Sequence, residues 1–285
     1  MFAWPDTLVA EIAERRCAVF IGAGMSHFCF GKDGKTKPPL WPDFLQHLRS
    51  KMRTPAEQTT ADHLIKERRF LEAAEIMKAD VLDAEYNDFL WQEFKTPEFA
   101  HAKVHEHIRD LDTKIVITTN FDTIYEDCCR RGPAQASYNV VRYSDDHLLD
   151  ELKSTRRLIV KVHGCVTQQQ KTVLARSQYF TARRDFPGFF SVLDAIASTN
   201  TLLFLGYGLG DPDIQLVLEN VAIRASTACP HYAVTEAGQH LALKRATRLA
   251  FNVEFLEHAA GQLLEVEQAL GDLVGKVTLY RSMHP

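Results

Sequence analysis

Four short apolar runs, each cut off abruptly by small or polar residues, constrain the fold of this 285-residue chain most tightly. They are Cys17–Ile21, Ile115–Thr119, Leu158–Val162 and Thr201–Leu205. Each is rich in β-branched residues or leucine and lacks the apolar–polar alternation of a strand with one wet face. Runs of this kind read as strands buried on both faces of a parallel sheet. His231–Val234 and Val253–Phe255 are shorter candidates, which brings the expected sheet to about six strands.

Helical patterns fill the intervals, including Val192–Ala197 before the fourth run and Ile214–Ile223 after it. This is the alternation of right-handed β-α-β crossovers. The expected fold is therefore α/β, a Rossmann-like doubly wound parallel sheet. The interval from Phe44 to Asp112 departs from the pattern. There Leu64, Phe70, Leu71, Ala74, Met77 and Phe89 recur at mainly helical spacings without a convincing strand, so a helical insertion is expected between the first two strands. With no internal repeat and no Gly/Ser- or Pro-rich linker, residues 1–285 read as a single domain carrying that insertion.

Composition narrows the function. A chain that is 46% hydrophobic and 25% charged is of the globular class. Its net charge of −4 supplies no global attraction for phosphate backbones, which disfavours direct nucleic-acid binding. Asp6, Glu11 and Glu14 interrupt any signal-peptide core, and no apolar run reaches membrane-spanning length, so a cytoplasmic protein without a membrane partner is expected. The six cysteines form no C-x-x-C pair, and a structural zinc is not expected. His101, His105 and His107 include a pair at helical spacing. Without a carboxylate or cysteine at ligand spacing, they read as solvated or capping residues, and Cys128 and Cys129 read as helix packing.

The chemistry collects where the strands end. The first run passes into Gly22-Ala23-Gly24-Met25-Ser26, the second into Asn120-Phe121-Asp122, the third into His163-Gly164 and the fourth into Gly206-Tyr207-Gly208. In an open parallel sheet, ligands bind outside the carboxyl ends of the strands, so these junctions can converge on one crevice. Glycines in the first turn allow close backbone approach, and amides at the following helix can accept phosphate oxygens.

In type and order these residues resemble the sirtuin superfamily: G-A-G-M-S at 22–26, T-N-F-D at 119–122, H-G at 163–164 and G-Y-G-L-G-D-P-D at 206–213. A segment with proline and aromatics, Pro39-Leu40-Trp41-Pro42-Asp43-Phe44, follows the first motif as it does in that family. The four-cysteine zinc module usual in protein deacylases is missing, and the chain looks more like the bacterial branch found in anti-phage defence. The resemblance implies NAD⁺ as substrate, with no metal, and cleavage of its nicotinamide–ribose bond. By the same resemblance Asn120 and His163 are catalytic: Asn120 positions water and ribose hydroxyls, and His163 acts as a base. Gly22, Ala23, Gly24, Met25 and Ser26 form the diphosphate turn, and Asp122 contacts the carboxamide. Trp41 and Thr119 join the cofactor pocket, while Gly206 and Gly208 let backbone approach the adenosine ribose. An unperturbed imidazole titrates near 6.5, which suits a base towards a ribose hydroxyl or water.

The implied role is an NAD⁺ glycohydrolase that depletes the cell of NAD⁺ during infection. Such an enzyme needs control, so a homo-oligomer or a separate activating defence protein, such as an ATPase, is expected. Two other functions stay open on the residues alone: a sirtuin-type deacylase or ADP-ribosyltransferase, and a non-catalytic NAD⁺ or ADP-ribose sensor. Linear against cyclic product, and NAD⁺ against NADP⁺, are likewise open.

Overall fold

The computed structural model describes residues 2–132, 138–207, 218–219, 229–238 and 241–284. Its frame is a seven-stranded sheet in the order β3-β4-β2-β1-β5-β6-β7. The strands are β1 (Cys17–Ile21), β2 (Ile115–Thr118), β3 (Tyr138–Arg142), β4 (Arg157–Lys161), β5 (Thr201–Leu205), β6 (His231–Glu236) and β7 (Val253–His258). Every pairing is parallel. The α/β, doubly wound expectation holds.

All six expected strands lie within three residues of their expected bounds, and β1 and β5 coincide with the expected Cys17–Ile21 and Thr201–Leu205 runs. β4 starts and stops one residue early. β3 is the addition. It is an edge strand, Tyr-Asn-Val-Val-Arg, mostly half-buried, so it carries little of the continuous apolar signal that marks the interior strands. The order reverses at β1: the chain runs out through β2 to β4 on one side and returns to β5 on the other. The crevice at the carboxyl ends of β1 and β5 is thus the topological switch point.

The helices follow in chain order. α1 (Asp6–Ala13) precedes β1, and a single turn, α2 (Ala23–Ser26), follows it. Then come α3 (Trp41–Arg49), α4 (Pro55–Lys66), α5 (Phe70–Asp80), α6 (Asp83–Phe94) and α7 (Lys103–Asp110), with no named strand among these residues. α8 (Ile124–Arg131), α9 (Leu148–Lys153), α10 (Arg176–Asp185), α11 (Pro187–Thr199), α12 (Leu241–Phe251) and α13 (Leu263–Met283) complete the set.

Alternate side chains of the strands feed two cores, as the period of two demands. On one face Val19, Ile21, Val116, Ile159 and Leu203 pack with α1, α7 and α13. On the other, Phe20, Ile117, Val160 and Phe204 pack with Phe189, Phe190 and Leu193 of α11. A third core joins α3 to α6 around Phe44, Leu48, Met77 and Leu90, and takes in Phe121, Cys165, Val166 and Leu174 from the loops above the sheet. α7 belongs to the sheet-covering layer and not to this third core, since Val104 and Ile108 pack with α13 residues. Among the described residues, no helix is long and apolar enough to cross a membrane.

Candidate active site

Two backbone hydrogen bonds lock the glycine turn after β1 to the end of β5. The Gly22 amide donates to the Leu205 carbonyl and the Gly24 amide to the Gly206 carbonyl, both at 2.9 Å. A Cβ on Gly24 would lie 2.8 Å from both Cα and O of Gly206. Gly206 itself has φ +69°, and a Cβ there would meet the Met25 amide nitrogen at 2.5 Å. These glycines thus let two strand ends touch.

The turn after β2 is tied to the first turn through side chains. Thr118 Oγ1 donates to the Ile21 carbonyl at 2.7 Å and accepts the Asn120 amide at 3.0 Å. Ser26 Oγ donates to Asp122 Oδ2 at 2.8 Å, and Asn120 Nδ2 donates to the same Ser26 Oγ at 3.1 Å. Asp122 Oδ1 accepts the Ile124 amide at 2.9 Å, at the start of α8. Thr119 Oγ1 and the Tyr207 hydroxyl share a hydrogen bond at 3.3 Å, which joins the second turn to the fourth.

His163 follows β4. Its carbonyl accepts the Val173 amide at 3.0 Å, and its ring meets Tyr179 edge-on, at 6.1 Å between centroids. Gly164, at φ +81°, reverses the chain directly beneath the Lys171 carbonyl.

These turns open into one pocket with about 760 Å³ of empty space, part of it continuous with solvent. Ser26, Thr119, Asn120, Asp122 and His163 supply its polar groups. Pro38, Pro39, Trp41, Phe44, Leu71, Phe94, Val173 and Leu174 supply an apolar wall. Trp41 and Phe44 stack at 6.0 Å with 9° between their planes. An apolar wall with a few convergent polar groups is the usual make-up of a small-molecule site.

Of the residues singled out in the sequence, Ala23, Ser26, Trp41, Thr119, Asn120, Asp122 and His163 line this pocket. Gly22, Gly24, Met25 and Gly206 do not; they build the turn behind it. Gly208 and nearly all of the helix expected over Ile214–Ile223 lie outside the described residues. Leu71, Phe94, Val173 and Leu174 went unnoticed as pocket residues because only tertiary packing brings them there. Lys161 carried a signal that was passed over: a lysine inside a run otherwise fit for burial.

The histidine group near α7 does not form a metal centre with its neighbours. His105 is buried, its Nδ1 accepts the Ala102 amide at 3.3 Å, and burial pulls its pKa down to about 4. His101 instead faces Glu106. Among the described residues, no group of three or more His, Cys, Asp or Glu side chains is arranged to hold a metal.

Fold and pocket together define an α/β protein with a crevice at its topological switch point, the place where such folds bind ligands. The SIR2-like domain family matches residues 114–256, half of the chain, and the chain belongs to that family. It is similar to the NAD(+) hydrolase ThsA of Acinetobacter baumannii (strain 532279), 21% identical over 218 residues that cover 76% of this chain and 42% of that protein. ThsA of Enterococcus faecium is 24% identical over 227 residues, covering 78% and 44%. Defense-associated sirtuin 2 of Bacillus subtilis is 30% identical over 119 residues, covering 40% and 11%. The chain spans less than half the length of these relatives. Among solved structures, a Sir2 homologue in complex with NAD is 12% identical, with a TM-score of 0.46, over 98% of this chain and 96% of that one.

Proposed function

We propose that this protein cleaves the nicotinamide–ribose bond of NAD⁺, releasing nicotinamide and ADP-ribose. The observation that carries the reading is the gathering of Asn120, Asp122, Ser26 and His163 from three separate strand ends into one pocket beside an apolar wall. The wall between Trp41 and Phe44 and the polar groups suits a flat heterocycle that leaves a charged ribose behind. In the step itself the N-glycosidic bond breaks, and its electron pair passes to the ring nitrogen, neutralising the pyridinium. Water then bonds to the anomeric carbon and loses a proton to His163. Asn120, held by Ser26, orients that water and the ribose hydroxyls, which is a positioning contribution. Both Asp122 oxygens are already hydrogen-bonded, yet a carboxylate has lone pairs to spare for a carboxamide N–H. The Gly22–Ser26 turn takes the diphosphate side, and Gly206 and Gly208 the adenosine ribose.

The named relatives include two NAD(+) hydrolases and a defense-associated sirtuin, which supports a role in bacterial anti-phage defence for this chain. There it acts in the cytoplasm as an NAD⁺-depleting effector, held in check until self-assembly or a partner protein activates it.

Purified protein incubated with NAD⁺, with nicotinamide, ADP-ribose and cyclic products quantified, tests the reading. Asn120→Ala and His163→Ala are each expected to lower nicotinamide release by at least about a hundredfold, with the circular dichroism spectrum unchanged. Near-wild-type turnover in both folded variants removes the mechanism. Parallel reactions with an acylated peptide separate hydrolysis from deacylation.

A further inference from the structure

Lys161 is wholly buried, at 0% exposure, at the end of β4 and two residues before His163. The rest of that strand is apolar from Leu158 to Val160, so an apolar side chain here would pack at no electrostatic cost. An ammonium does not: leaving water is costly unless every proton finds a partner. Lys161 Nζ lies 2.6 Å from Glu126 Oε1 on α8, a carboxylate that is itself 5% exposed, and also donates to the backbone carbonyl of Asp122. Burial pulls the lysine pKa down, but the Glu126 charge, aided by Cys165 and Asp122, outweighs it, and the group sits above the ordinary lysine value.

One buried ion therefore joins three pieces of chain: the strand that delivers His163, the helix after the second turn, and the turn that carries Asn120. The Asp122 carbonyl fixes the backbone of that turn from below. From the other side the Asp122 carboxylate holds Ser26, and Ser26 holds the Asn120 amide. A methionine at position 161 would keep the volume, lose the grip on the Asp122 carbonyl and strand the Glu126 charge.

We propose that Lys161, balanced by Glu126, is a positioning residue that sets the Asn120–Asp122 turn relative to His163 for bond cleavage. The role rests on the reading of this pocket as an NAD⁺-cleaving site. It touches no substrate atom, and it acts on the step in which two catalytic groups must be aligned, not on ligand capture.

The test uses the full chain and three variants: Lys161→Met, Glu126→Gln and the double variant Lys161→Met with Glu126→Leu. Lys161→Met is expected to lower kcat for nicotinamide release by about tenfold or more, since misplacement of aligned groups acts on turnover. KM and the calorimetric Kd for ADP-ribose should stay within about threefold of wild type, the split expected of a group that acts after binding. Glu126→Gln shifts kcat in the same direction by less. The double variant replaces a buried ion pair by apolar packing, so its Tm recovers towards wild type while kcat stays low. Recovery of both together means the pair is merely structural and overturns the proposal, as does wild-type kcat in any folded Lys161→Met chain. Should Lys161→Met fail to fold, the double variant and Glu126→Gln decide by the same criteria. A wild-type chain that releases no nicotinamide in either its monomeric or its assembled fraction overturns the reading of the site and this role with it. An active wild type with unimpaired variants overturns the positioning role alone.

Discussion

At the residue scale, Gly206 has little freedom. Its φ of +69° disfavours any L side chain, and a Cβ would press on the Met25 amide nitrogen and on Gly24, all of it backbone. Gly206→Ala is expected to destabilise the fold by at least about 2 kcal/mol, from left-handed backbone strain plus a contact that only main-chain movement relieves. Urea unfolding measures it, and an unchanged midpoint would mean the two turns can part without cost. Gly24→Val belongs to the same contact and acts on folding before it acts on any ligand. The sequence announced that something comes close to Gly24 and left open what does: a phosphate was one candidate, and the Gly206 backbone occupies that side. Asn120, Asp122 and His163 were legible because strand ends in a parallel sheet share one edge. For Lys161 the sequence shows a charge inside a buried run but not its partners, which depend on which helix packs below the strand.

Two elements carry buried histidines whose lone pairs are committed. In α7, His105 Nδ1 accepts the Ala102 amide, and at the start of β6, His231 Nδ1 accepts the Leu202 amide of β5 at 3.1 Å. Burial pulls both pKa values down to about 4. The unfolded chain binds protons at these sites near the ordinary 6.5, so the stability they contribute is complete above that value. It is lost as pH falls through the interval from about 6.5 to about 4. Urea midpoints at pH 7.5 and pH 5 should differ, with the acid value lower; equal midpoints would show that neither histidine is held neutral. Strands showed an analogous contrast in legibility. β1 and β5 are buried along their whole length and wrote their bounds in leucine, valine and isoleucine. β3, at the edge with its side chains half-buried, needed no such composition and left no comparable trace.

Across the whole molecule, the pocket lies where the α3–α6 helices meet the strand ends, two groups of elements with separate cores joined through Phe121, Cys165, Val166 and Leu174. A ligand or partner shifts a conformational balance only by binding one state better than the other. If assembly holds the helices in the productive state, turnover per subunit is expected to be higher in an oligomer or partner complex than in the monomer. Size-exclusion fractions assayed for nicotinamide release give the comparison, and full, concentration-independent activity in the monomer would sink the regulatory idea while leaving the proposed catalytic roles in place. The covering of the sheet has a separate consequence for how the protein is made. α13 supplies Leu270, Leu273 and Val277 to the core under β1, and Arg281 donates to the carbonyls of Ile12, Ala13 and Leu111. A nascent chain on the ribosome that has already presented Asn120 and His163 still lacks this cover and exposes an apolar sheet face. Until α13 emerges it is a client for chaperones, and a stalled or truncated product ending before α13 should aggregate.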